Sequence, residues 1–255
     1  MYFIGDAMDN NFYAFLLTTL AGLSTLIGSF IIFFSKKKQD STIIGSLGFA
    51  SGVMIIVSLT DLIPNGFQLF SRTYSTIFSI LLLLIAMNIG VLLSKSINKF
   101  IPNNNNFLYR VGILSMLAIM LHNIPEGIAT YITNCSNINL GLSLTLAIAA
   151  HNIPEGISIS VPIYYATGNK RKAFLYTFIS GISELFGAII SALFLAPFVS
   201  DTLMAFLYAM IAGIMVYLSI TKLLKTSLSY QKYKITLIFF IIGVLFILIN
   251  HFIFN

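Results

Sequence analysis

Charge is what this 255-residue sequence has least of. Only 9% of its residues are Asp, Glu, Lys or Arg, against about 25% in an ordinary soluble domain. Apolar residues make up 58% and mean hydropathy is +0.94. So little polar side chain cannot cover a water-soluble fold of this size, which excludes a soluble enzyme or a nucleic-acid binder. Cysteine is nearly missing as well. Cys135 stands alone, so neither an intrachain disulfide nor a thiolate zinc site is available, and it reads as a small bystander. There is no Gly-rich phosphate loop, hence no nucleotide partner and no ATP-driven step. The His-Glu-x-x-His signature of zinc hydrolases is absent too.

What fills the chain instead is apolar runs of spanning length, which is about 20 residues. Eight qualify, at 13–34, 45–66, 75–94, 110–133, 140–166, 172–196, 203–221 and 235–254. The connections between them are short, and the segment with Pro102 and Asn103 to Asn106 reads as a polar turn. The expectation is one all-α integral membrane domain, residues 1–255, with eight transmembrane helices. Tyr13, Tyr74, Tyr109 and Tyr131 sit near span ends, as interfacial aromatics do. Gly48 and Gly52 suit close helix packing. The first eleven residues carry Asp6 and Asp9 and no basic residue, unlike a cleaved signal, so span 1 is expected to be retained.

Thirteen of the 14 basic residues fall in alternate loops: Lys36 to Lys38, then Lys95, Lys99 and Arg110, then Lys170 to Lys172, then Lys222, Lys225, Lys232 and Lys234. Arg72 is the exception. Lys and Arg accumulate on the cytoplasmic side, which puts these loops inside and both termini outside.

Four of the eight acids, Asp61, Glu126, Glu155 and Glu184, fall within spans, and no Lys or Arg lies deep in any span to balance them. An ionised side chain at mid-bilayer costs at least about 2.5–3.5 kcal/mol. The countercharge must come from protons or from a cation that the chain does not encode. The positions sharpen this. Residues 122–128 read His-Asn-Ile-Pro-Glu-Gly-Ile, and residues 151–157 repeat those seven. His at i and Glu at i+4 share a helix face, with Cβ atoms about 5–6 Å apart, so two such helices face to face offer two imidazoles and two carboxylates. That set suits Zn²⁺, Fe²⁺ and neighbouring divalent metals over Mg²⁺ or Ca²⁺. Asn123 and Asn152, one position round, offer amide oxygens to an adjacent ion. Glu184 adds a third carboxylate at the same depth. Pro125 and Pro154 free the carbonyls of Leu121 and Ala150 and kink their helices, backbone that is tolerated only against protein or a wet cavity. Gly127 and Gly156 allow close helix approach. His251 has no acid at helical spacing and reads as an interfacial histidine.

Two His-Asn-x-Pro-Glu-Gly motifs in spans 4 and 5 of an eight-span chain resemble the ZIP (Zrt/Irt-like) family of divalent metal transporters. The chain is most similar to the bacterial ZupT-like zinc-uptake subgroup, which lacks a His-rich cytoplasmic loop. The resemblance implies a binuclear site: His122, Glu126, His151 and Glu155 around one metal, and Asn123, Asn152 and Glu184 around a second, with Glu126 and Glu155 bridging. It implies that Asp61, in Asp-Leu-Ile-Pro, lies at a metal entrance, where the alternative is a helix-terminus Asp. It also implies a homodimer and an elevator-like movement of spans 1, 4, 5 and 6 against the rest.

The expected function is ATP-independent uptake of Zn²⁺, with Fe²⁺, Mn²⁺ or Co²⁺ as further substrates, across the plasma membrane (the inner membrane of a bacterium). No prosthetic group and no catalytic residue are expected. Imidazole ligates only when neutral, so uptake should fall as pH drops through the histidine range, near about 6.5. The alternative is an intramembrane metalloenzyme, a zinc hydrolase or a di-iron oxidase, using the same ligands. A proton-coupled solute carrier is a further rival.

Overall fold

The computed structural model describes residues 2–34, 40–100, 106–195, 198 and 200–254, and among them there is helix and no strand. Eight long helices follow one another. α1 is Tyr2–Ser29 with a short continuation at Ile31–Phe34, α2 runs Asp40–Ser71, α3 Thr76–Phe100, α4 Phe107–Ser136 and α5 Ile138–Thr167. α6 runs Lys170–Phe194, α7 Asp201–Ser229 and α8 Tyr233–Phe254. Lys36 to Lys38, Pro102 and Asn103 to Asn105, used above for orientation and for a turn, lie outside the described residues.

Seven of these helices are both long and apolar enough to cross a bilayer. The eighth, α5, is long enough: 30 residues rise about 45 Å. Its mean apolarity is lowered by the polar motif it carries, so the eight-span expectation and the hydropathy of the helices differ at the element that bears the chemistry. α4 to α7 each begin two or three residues before the sequence-derived edge, at starts capped by side chains. Asn106 accepts from the Tyr109 N–H, Asn137 from those of Asn139 and Leu140, Asn169 from that of Lys172 and Ser200 from that of Leu203. Each satisfies a donor that the first helical turn leaves open. Gly168, at φ +68°, ends α5 in the left-handed conformation, where a side chain would be strained.

The connection between α4 and α5 is the single extended residue Asn137. A turn this short forces the two motif-bearing helices to lie antiparallel and in contact. His122 and Glu155 lie equally far from the Ile138–Asn139 point of the chain, and so do Glu126 and His151. The hairpin therefore sets His122 level with Glu155 and Glu126 level with His151.

The helices form two groups. α1, α4, α5 and α6 pack on one another, while α2 packs on α8 and α3 on α7; α2 with α5 and α4 with α7 make the seam. Within the first group, backbone meets backbone at glycine. A Cβ on Gly127 would strike the Glu184 carbonyl, one on Gly187 the Ile124 carbonyl, and one on Gly156 the Thr25 carbonyl. The motif glycines are thus where α4 meets α6 and where α5 meets α1. Gly48 and Gly52 of α2 take the same role against α8, at the carbonyls of Thr236 and Phe240.

The largest apolar cluster crosses the seam. It includes Met54, Ile119, Ile159, Ile163, Ile211 and Met215, all essentially inaccessible. On α4 and α5 it lies along the N-terminal half of the first and the C-terminal half of the second, toward Arg110 and Lys170 to Lys172, and Val57, Leu62 and Ile247 extend it toward the other end. Large apolar side chains of α3 and α8, such as Leu84, Ile85, Leu245 and Ile249, point outward, as lipid-facing residues do.

Candidate metal centre

The two motifs stand at the middle of their helices. His122 is the sixteenth of 30 residues in α4 and His151 the fourteenth of 30 in α5. Glu184 is the fifteenth of 25 in α6. All seven residues singled out in the sequence, His122, Asn123, Glu126, His151, Asn152, Glu155 and Glu184, are buried.

Their partners are exchanged between helices. His122 Nε2 lies 2.8 Å from Glu155 Oε1, and His151 Nε2 lies 3.3 Å from Glu126 Oε1. Each imidazole faces the carboxylate of the other motif rather than its own i+4 neighbour, as the hairpin geometry requires. The asparagines are oriented by neighbouring backbone. Asn123 Nδ2 donates to the Ser180 carbonyl of α6 at 3.1 Å, and Asn152 Nδ2 donates to the Ala21 carbonyl of α1 and to Glu184 Oε2, each at 2.9 Å. With both amide nitrogens engaged, both amide oxygens turn inward.

These inward oxygens have no hydrogen-bond partner. Buried without one are Asn123 Oδ1, Asn152 Oδ1, Glu126 Oε2, Glu155 Oε2 and Glu184 Oε1, together with His122 Nδ1. A buried polar group is nearly always bonded, and leaving one unmet costs about 1–3 kcal/mol, more if charged. Five acceptor oxygens without a donor, on three neighbouring helices, make a site that wants positive charge. In this conformation His122 and Glu155 are hydrogen-bonded to each other while His151 Nε2 stands near Glu126 without a hydrogen bond, and among the described residues no three His, Cys, Asp or Glu side chains converge on one ion position.

Pro125 and Pro154 are buried and lie inside helices that continue through them. The backbone irregularities fall elsewhere, as π-helical turns at Ser58–Leu62, Ser191–Leu195 and Ser219–Leu224. Such turns bulge a helix by one residue and are common at functional sites. The first of them contains Asp61.

Asp61 faces a cavity of about 290 Å³ on the seam between the two helix groups. Asp61, Asn65, Asn250 and His251 line it, and so do Glu126 and His151. The cavity follows Ala129 on α4 and Leu140 to Ile148 on α5, opposite to the apolar cluster that packs the other half of these helices. The cavity thus reaches the motifs from the Asp61 end, while packed apolar side chains occupy the Arg110 end.

The structure corrects the reading of His251. Its Nδ1 lies 2.8 Å from Asp61 Oδ1, so it has an acidic partner from a helix 190 residues away in sequence, which helical spacing within α8 could not reveal. Asn65 and Asn250 were missed as well; Asn65 lies four residues after Asp61 on α2, and that spacing was the available signal. Cys135 stays away from the motifs, near Asn11 at the end of α4.

Residues 105–251, which hold both motifs and Glu184, match the family described as ZIP Zinc transporter. The chain is a member of the ZIP family. Similar ZIP relatives agree over most of the length. The zinc transporter ZupT of Campylobacter jejuni is 41% identical, over 87% of this chain and 89% of its own. The zinc transporter ZupT of Clostridium perfringens is 39% identical, over 94% and 95%, and that of Streptococcus mutans is 39% identical, over 94% and 96%. These ZIP relatives bear the name of a transporter and not of an enzyme, and the metalloenzyme alternative finds no support among them.

Proposed function

We propose that the chain carries Zn²⁺ across the plasma membrane into the cytoplasm, without ATP, as one eight-helix domain. In this reading one ion is held by His122, Glu126, His151 and Glu155. A second is held by Asn123, Asn152 and Glu184, and Glu126 and Glu155 bridge the two. The observation that carries the reading is the set of five inward acceptor oxygens with no donor, beside two imidazoles at mid-membrane depth. Three carboxylates against two divalent cations leave one positive charge, far milder than either set alone. Imidazole with carboxylate favours Zn²⁺ and its neighbours Fe²⁺, Mn²⁺ and Co²⁺.

Asp61 stands at the entrance. Its cavity reaches Glu126 and His151, so a cation arrives from the outer side while the apolar cluster seals the cytoplasmic side. The basic residues at the sealed end, Arg110 and Lys170 to Lys172, support that orientation. Release inward needs the seam to rearrange. The grouping of α1, α4, α5 and α6 supports a movement of those four, as a body, against α2, α3, α7 and α8. The broad apolar faces of α3 and α8 leave room for a homodimer.

Zinc flux into proteoliposomes, without ATP, tests the reading. The wild-type chain should load Zn²⁺, and a folded Glu126→Ala/Glu155→Ala variant should not. Tight binding with no flux from either protein would sink the transport reading.

A further inference from the structure

α7 and α8 are joined by a turn of three residues, Tyr230 to Lys232, in which Gln231 takes the left-handed conformation at φ 59°. Beyond that turn they part, because each packs on α2 rather than on the other. Ser227 of α7 bonds the Ile44 carbonyl and lies 2.8 Å from the Thr236 hydroxyl of α8. Gly48 and Gly52 of α2 meet the carbonyls of Thr236 and Phe240. What is left between the two helices is a groove of about 440 Å³, lined from α7 and α8 alone.

Leu224 and Leu228, four residues apart on α7, form one wall. Tyr233, Thr236, Leu237 and Phe240 form the other, a stripe at the spacing of one helix face. The Thr236 hydroxyl is engaged with Ser227, so the groove is apolar along its length. Its polar groups stand at one end, where Tyr233 and Lys234 open α8. Phe240, seven residues on, lies about 10 Å deeper along the helix. Tyr233 and Leu237 are 61% and 59% accessible, so this wall faces the lipid.

The chain around the turn is basic. Lys222, Lys225, Lys232 and Lys234 fall within 13 residues that hold no acid. Among the described residues none of these lysines forms an ion pair, and Asp40, which opens α2 at the same end, reaches none of them. We propose that the groove binds an anionic phospholipid, its phosphate at Lys232 and Lys234 and the start of one acyl chain between Leu224, Leu228, Leu237 and Phe240. The orientation of the basic loops puts this site in the cytoplasmic leaflet, whether or not the metal centre works as proposed above.

The two ends of the groove divide the recognition. Its apolar walls accept any acyl chain, so selectivity comes from charge, because lysines near a membrane surface attract anionic headgroups. A lysine also lays its stem along apolar surface while its ammonium stays at headgroup level, which suits Lys234 at the groove end. A lipid seated there fills the space that the diverging helices leave and holds α7 and α8 together near their turn.

The chain has no tryptophan, so Tyr233→Trp places a single reporter in the groove. The full chain is reconstituted in vesicles of phosphatidylglycerol and phosphatidylcholine, with bromine on the acyl chains of one lipid or the other to quench a touching indole. The reporter should favour phosphatidylglycerol by about fivefold or more, which is what one lysine contributes against an anionic surface. Lys232→Gln/Lys234→Gln should lower that ratio to the one read by Phe34→Trp. Phe34 is exposed and precedes the basic run Lys36 to Lys38, so it measures the general attraction of basic segments. Leu237→Trp gives the same reading if Tyr233→Trp does not fold. Equal ratios in the groove and at Phe34, or a ratio that survives the double lysine variant, would overturn the site. So would a reporter that neither lipid quenches, the outcome if a second copy of the chain covers the groove.

Discussion

The two helix groups use the same means of packing and bury very different contents. In both, glycine lets backbones touch: Gly156 on Thr25 and Gly187 on Ile124 in one, Gly243 on Phe49 and Gly213 on Met87 in the other. Yet among the described residues every buried Asp, Glu or His belongs to α4, α5 or α6. The other group buries neutral hydroxyls. Ser51 and Ser219 bond across α2 and α7 at 2.9 Å, and Ser227 bonds the Ile44 carbonyl and Thr236. A helical hydroxyl can satisfy itself on a carbonyl of the preceding turn, as Ser58 does on Met54 and Thr221 on Tyr217. Carboxylates and imidazoles cannot, so they had to be brought together. The difference separates a group whose buried polar side chains are neutral from one whose buried carboxylates and amides leave acceptor oxygens without a donor.

Three measurements press on that contrast. The largest effect should come from His122→Ala, which leaves Glu155 buried without its partner. Breaking a buried pair costs about 3–5 kcal/mol, to be read from unfolding in mixed micelles without metal. The matching hydroxyl deletion in the other group, Ser51→Ala, should cost about 1 kcal/mol. Equal losses would erase the distinction. Next come the glycines. Gly156→Ala and Gly243→Ala each push a methyl group into a backbone carbonyl, and overpacking costs about 1–3 kcal/mol, so both should lower stability alike. Only Gly156→Ala should also lower zinc affinity, because it separates α5 from α1 where Asn152 is anchored on Ala21. Should Gly243→Ala weaken zinc binding as much, the two groups are not independent in this respect. The smallest effect belongs to Arg72→Ala. Its ion pair with Asp201, at 3.2 Å between exposed side chains, contributes about 0–1 kcal/mol, and flux should be unchanged.

Much of the centre was legible before any coordinates. Helix spacing fixes which residues share a face, rise per residue fixes depth, and the cost of burying charge says which residues need explaining. Those three rules found His122, Asn123, Glu126, His151, Asn152, Glu155 and Glu184 and set them near mid-membrane. The exchange of partners between the motifs also follows from the sequence, once Asn137 is known to be the whole of the turn.

What the tertiary structure alone decided involves helices distant in sequence. Nothing in α8 points to α2, so the pairing of His251 with Asp61 was invisible, and so was the cavity that joins them to Glu126 and His151. The π-turn that carries Asp61 left no mark in composition. The asparagine orientations depend on the carbonyls of Ala21 and Ser180, which α1 and α6 bring within reach only because Gly127, Gly156 and Gly187 let the backbones close. Periodicity along one helix reports its own faces and depth. Which faces meet is settled by packing, where shape and close contact between remote segments decide.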